Sequence, residues 1–229
     1  MGRKLNQYKG RLSAKQIAEG INAARRNASR LLEDAQMLLE QNRFAGAASL
    51  AVLSVEESGK GPILRQLALD TTDDEIQKTW REYRSHTKKN ILWLLPQLAM
   101  EGAKSLDDFR PLFEPETEHP YLLDKVKQIS LYTDCLGNAH CSEPSNAIDK
   151  RLATMLIQIA SLLIPKTEVS EEEVNLWVKH MSSAKGKTYS EHKKALLHWY
   201  AEIQELGLTS IKHDVTELLD WLGFKIDGR

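Results

Sequence analysis

A chain of 229 residues, 41% hydrophobic and 28% charged, is long enough to bury a substantial core without cross-links, and its two cysteines are too few for a disulfide scaffold. The most apolar stretches, Ile91 to Leu95 and Met155 to Ile164, fall short of the roughly 20 residues that span a bilayer, and the first residues lack the apolar run of a secretory signal. These features predict a soluble, cytoplasmic protein with no membrane segment, and the net charge of -1 excludes a uniformly basic or acidic partner-binding chain.

The charge is unevenly spread: residues 1 to 30 carry eight Lys or Arg against one acid, Glu19. From Ser13, a reasonable N-cap, Ile17, Ile21, Ala24, Ala28, Leu31, Ala35 and Leu38 recur at spacings of three and four and predict a long amphipathic helix. After a break at Gln41 to Arg43, a second helix is expected from Phe44 to about Leu69. Ala45, Gly46, Ala47, Ala48, Ser49 and Ala51 suit it to close packing at the centre or across a two-fold axis, and Gly59, Gly61 and Pro62 bend it or end its first segment. Thr72 and Glu75 have capping-box spacing for a third helix running through Trp80, Tyr83, Ile91 and Leu95 to Pro96. Residues 107 to 120, with Pro111, Pro115 and Pro120, read as a connector. Helices follow at about 121 to 134 and 146 to 164, flanking a polar segment from Leu136 to Ser145, and no strand pattern is evident. Pro165 and Lys166 mark the expected boundary between a core, residues 1 to 165, and a C-terminal helical extension, residues 166 to 229. The extension opens with a second capping box, Ser170 and Glu173, and draws apolar contacts from Trp177, Trp199, Leu218, Leu219, Trp221 and Leu222.

Three groups of residues carry candidate chemistry. The second helix contains Glu56-Glu57-Ser58-Gly59-Lys60. At least one of the glutamates should face the apolar side, where a carboxylate needs a partner, and Lys60 lies at helical reach of both. An internal ion pair that fixes helix register and a site role both fit this pattern. The third helix contains Arg81, Glu82, Tyr83, Arg84, His86, Lys88 and Lys89, in which His86 is the histidine set in a cationic cluster. Imidazole suits proton transfer near neutral pH, and arginine and lysine suit phosphate binding, although ordinary solvated helix surface also accounts for the cations. Cys135, His140 and Cys141 match no standard zinc spacing.

The ordered set of Glu56-Glu57-Ser58-Gly59-Lys60, His86-x-x-Lys89, Tyr132-Thr133-Asp134 and Pro144, over about residues 14 to 150, resembles the AbiV abortive-infection proteins of the HEPN superfamily. Arg81-x-x-x-x-His86 also fits the superfamily's Arg-x(four to six)-His pattern. The resemblance implies an all-α, HEPN-like helical bundle with additional C-terminal helices and a role in phage defence that arrests the infected cell. Metal-independent RNA cleavage, without a cofactor, is the activity it implies; a non-catalytic helical module that binds a phage or translation component is the alternative. Catalysis would fall to His86 and Arg81, with Glu57, Lys60, Lys89, Tyr132 and Asp134 as a supporting polar network and Arg84 and Lys88 as RNA contacts. A second assignment sets His86 with Tyr83, Glu82 or Lys89 on one face of a continuous helix. The partners implied are a second copy of the chain, RNA, and a phage-encoded activator or target.

Overall fold

The computed structural model describes residues 6–95, 98, 108, 118–137 and 139–209. Helix α1 spans Ala14–Glu40, and Ser13 caps it with a full capping box closed by Gln16. Helices α2, Phe44–Ser58, and α3, Lys60–Leu69, are two pieces of the single helix anticipated from the sequence, separated at Gly59. Helix α4, Asp73–Arg84, starts at the Thr72 and Glu75 capping box. A four-residue helix α5, His86–Lys89, and a 3-10 turn, Ile91–Leu94, follow. Helix α6, His119–Leu131, leads into a two-stranded antiparallel hairpin, β1 Asp134–Leu136 and β2 His140–Ser142. Helices α7, Pro144–Ala147, and α8, Lys150–Leu163, complete the core region, and α9, Glu171–Met181, and α10, Tyr189–Glu205, form the described part of the tail. Among the described residues the fold is all-α apart from this hairpin, and none of their helices is long and apolar enough to cross a membrane. Pro96, Pro111 and Pro115 of the expected stop and connector, and Leu218, Leu219, Trp221 and Leu222 of the tail, lie outside the described residues.

The third expected helix is not continuous. Ser85 adopts an extended conformation, φ -80° and ψ 130°, and its hydroxyl accepts from the Lys88 amide at 3.4 Å. Serine competes for backbone hydrogen bonds in this way, which favours capping over helix interiors. The consequence is a change of direction between Arg84 and His86, so the shared helical face proposed for Glu82, Tyr83 and His86 does not exist. The hairpin is a second departure: three-residue strands are too short to show a period-two pattern, and the turn is made by Gly137 and Ala139 at φ 53° and 61°.

Close packing of α2 follows its small residues. Ala47, Ala48, Ala51, Val52 and Val55 are buried in a cluster with Ala35 of α1, Leu123 of α6, and Leu156, Ile157 and Ala160 of α8. Ala47, Ala48 and Ala51 are therefore covered within the chain. Ser54 donates to the Ala28 carbonyl at 2.8 Å, which satisfies a hydroxyl where two helix backbones come together.

A second cluster joins Ile17 and Ile21 of α1, Leu64 and Leu67 of α3, Ile76 and Trp80 of α4, and Val169 and Val174 of the tail. The tail thus shares a core with the N-terminal helices. Asn22 fixes its entry by donating to the Val169 carbonyl at 2.8 Å and accepting from the Val169 amide at 2.9 Å. Ser170 caps α9, but Glu173 does not close the expected box; its carboxylate meets Arg65 at 2.6 Å instead. The Arg65 guanidinium lies 5.5 Å from the Trp177 ring and 5.2 Å from the Trp199 ring, so one cation ties α9 and α10 to α3.

Candidate functional site

The site begins at Gly59. A Cβ built there would overlap the Lys89 carbonyl oxygen, so only glycine lets the α5 backbone rest on the α2–α3 junction. That approach brings His86 and Lys89 to Glu56, in the last turn of α2, while α6 supplies Asp124 and Lys127.

Glu56 is 2% exposed, deep enough that its charge requires compensation. One carboxylate oxygen is 2.6 Å from the Lys127 ammonium; the other is 2.7 Å from His86 Nδ1 and 3.4 Å from the Lys89 ammonium. Lys127 also meets Asp124 at 2.7 Å. Two carboxylates and two ammonium groups therefore balance around the imidazole. Burial pushes the Lys127 ammonium down, but hydrogen bonds and charges from Asp124 and Glu56 outweigh it and leave its pKa above the ordinary value. Lys127 stays charged at neutral pH.

His86 differs from its partners in exposure. Its side chain is 57% exposed, so with Nδ1 turned inward to Glu56 the remaining ring faces solvent. A buried carboxylate on one imidazole nitrogen fixes the ring orientation and favours the tautomer with the proton on Nδ1, leaving Nε2 as an outward-facing base. Asp124, Glu56 and His86 present ligand atoms within 4.8 Å of one another. Lys127 already bridges the two carboxylates as their counter-cation, and a divalent ion would have to displace that ammonium.

The remaining sequence-derived candidates divide clearly. Lys89 joins the network directly. Glu57 and Lys60 pair with each other at 2.6 Å, and Lys60 stands 5.3 Å over the Tyr83 ring, forming a neighbouring ion pair rather than a contact to His86. Arg84 donates to the carbonyls of Trp80 at 3.1 Å and Tyr8 at 2.5 Å and stacks on Trp80, so it holds the N-terminal segment against α4. Arg81 and Lys88 are exposed, and among the described residues no hydrogen bond or ion pair joins Arg81 to His86. Tyr132 is 60% exposed, and the Asp134 carboxylate accepts from the Cys135 amide; neither enters the network around Glu56. The basic excess of residues 1 to 30 is partly neutralised, with Arg25 and Arg26 on Glu168 and Arg30 on Asp34.

Sequence reasoning missed Glu56 as the hub, together with Lys127 and Asp124. The signal for Glu56 was present in its place between the buried Val55 and Val52 face of α2 and the helix break at Gly59. For Lys127, an otherwise amphipathic α6 with a lysine on its buried side was the available cue. No curated protein and no solved structure matches the chain. The family model for AbiV matches residues 16–165, which include the whole Glu56, His86, Lys89, Asp124 and Lys127 cluster, and the chain belongs to the AbiV family of HEPN proteins.

Proposed function

We propose that this chain is an abortive-infection protein that arrests growth or translation of a phage-infected cell by metal-independent RNA cleavage, with His86 as its acid–base group. The observation that supports this reading is the pairing of a buried Glu56 carboxylate with His86 Nδ1 at 2.7 Å while the imidazole itself remains 57% exposed. Histidines that merely fill space in a core are not presented to solvent by a buried, charge-compensated carboxylate. In the cleavage step, Nε2 takes the proton of a ribose 2'-hydroxyl, and the 2'-oxygen attacks the adjacent phosphorus. The P–O5' bond breaks as the 5'-oxygen takes that proton back from the His86 imidazolium, giving a 2',3'-cyclic phosphate and a 5'-hydroxyl end. Glu56 holds the ring and stabilises the imidazolium, as a carboxylate does behind other catalytic histidines.

Arg81 and Lys88 are exposed cations close in sequence to His86 and supply charge for the phosphate. Arg84 has committed donors to backbone carbonyls, so Lys88 is the better RNA contact of the pair. A homodimer that sets Arg81 of one subunit beside His86 of the partner subunit would complete the transition-state contacts absent within one chain. A phage product is the trigger this reading calls for, since an unrestrained nuclease would kill its own cell.

A non-catalytic interaction module is the second reading, favoured by Tyr121, Leu122, Leu131 and Tyr132, which are 45–60% exposed at the ends of α6. Growth arrest in cells expressing His86→Ala separates the two. Loss of arrest with unchanged circular dichroism and oligomeric mass supports cleavage; arrest that survives His86→Ala but fails in a Tyr121→Ser, Tyr132→Ser double variant supports docking.

A further inference from the structure

Cys135 and Cys141 are the only cysteines in the sequence, and the hairpin sets them face to face. Its register pairs Asp134 with Ser142, Cys135 with Cys141 and Leu136 with His140. Directly opposed residues of an antiparallel pair project their side chains from the same face, with Cα atoms about 4.5–5.5 Å apart, inside the range a disulfide bridges. Here the two sulfurs already lie 2.7 Å apart, inside their van der Waals separation. Both residues are exposed and unbridged, so a small oxidant reaches them without opening the core. His140, next to Cys141 along the strand, belongs to the opposite face, and among the described residues no third histidine, cysteine or carboxylate completes a metal-ligand set with the two thiols. The arrangement therefore suits sulfur–sulfur bond formation better than zinc binding.

We propose that Cys135 and Cys141 form a reversible oxidation site, in which a peroxide converts the cross-strand dithiol to a disulfide and a dithiol reductant restores it. One thiolate attacks a peroxide oxygen; the O–O bond breaks, water leaves, and that sulfur becomes a sulfenic acid. The second thiolate then attacks this sulfur, the S–O bond breaks, a second water leaves and the S–S bond forms. Two electrons pass from the sulfurs to hydrogen peroxide, and the two thiol protons depart in the two waters. The hydrogen bond to Cys141, with slight desolvation and the Asp134 charge, holds the Cys135 thiol above its ordinary range, so the reaction quickens as pH rises. A ribbon of two three-residue strands is marginal by itself, and the bridge turns it into a fixed feature between α6 and α7. The proposal stands independently of ribonuclease activity.

Treatment of the full-length protein with hydrogen peroxide, read by thiol titration and intact mass, tests it. The expected result is joint loss of both thiols, a monomer two hydrogens lighter, and recovery of both thiols with dithiothreitol. Because the chain holds two cysteines, that mass change can only be the Cys135–Cys141 bond. Cys135→Ser should instead gain oxygen on its remaining thiol. Wild-type protein that gains oxygen on Cys135 or Cys141, forms disulfide-linked dimers, or keeps both thiols under peroxide that oxidises Cys135→Ser overturns the proposal.

Discussion

Replacing Glu56 by glutamine separates a charge-dependent network from simple packing, because the two side chains have nearly the same shape. Glu56 faces His86 at 2.7 Å, Lys127 at 2.6 Å and Lys89 at 3.4 Å, and Lys89 and Lys127 are 7% and 4% exposed. In Glu56→Gln one buried ammonium loses its counter-charge. Removing one partner of a buried ion pair costs about 3–5 kcal/mol. Glutamine keeps one carbonyl acceptor and Asp124 keeps its 2.7 Å pair with Lys127, so the loss falls at the low end, about 3 kcal/mol. The adjacent Glu57→Gln breaks a pair whose side chains are 17% and 18% exposed, and its cost is about 1 kcal/mol. Urea unfolding followed by far-UV circular dichroism reads the difference as a lower midpoint at unchanged slope. Two variants of equal stability, within about 0.5 kcal/mol, would refute the assignment of Glu56 as the buried hub.

Gly59→Ala places a methyl group against the Lys89 carbonyl, and the overlap should cost about 1–3 kcal/mol; a thermal midpoint equal to wild type would mean α5 does not rest on the α2–α3 junction. Arg65→Met leaves the Glu173 carboxylate, 7% exposed, without its cation and removes the link to Trp177 and Trp199, so α9 and α10 should gain protease sensitivity before the core does. Glu75 is held down at about 2, from an ordinary 4.5, first by Lys185 and then by the Thr71 and Thr72 amides. A carboxylate lowered on folding stabilises above its unfolded value and loses that contribution as pH falls through the folded one. The stability gap between wild type and Glu75→Gln should therefore be full at neutral pH and close between about 4.5 and about 2, as measured by thermal unfolding across that range.

What could be read from the sequence were features set by local periodicity. The apolar spacing of α1 and the Thr72 and Glu75 capping box locate their helices because each depends on residues within one or two turns. The break at Ser85 was less legible, since Trp80, Tyr83 and Ile91 retain a helix-like pattern across it and the deciding interaction is a single serine cap. Site residues divide in the same way. His86 and Lys89 stood out for their chemistry, whereas the choice of Glu56 over Glu57 depends on which face α2 buries and on Lys127, 71 residues away. Tyr132 and Asp134 stood out only through the resemblance, yet they lie at the exposed end of α6 and in the hairpin, and among the described residues no hydrogen bond or ion pair joins them to His86. Family membership covers the core region, and the tail is tied to it through Val169, Val174 and Arg65 rather than through any recognisable motif.

Cleavage of total cellular RNA by the purified protein, in EDTA and with a phage lysate as activator, tests the central claim most directly when wild type is set beside His86→Ala. Wild type should cleave and leave ends bearing 2',3'-cyclic phosphate, and both should be lost in a folded His86→Ala protein. Equal cleavage by the two proteins, or none by either with and without lysate, would contradict it.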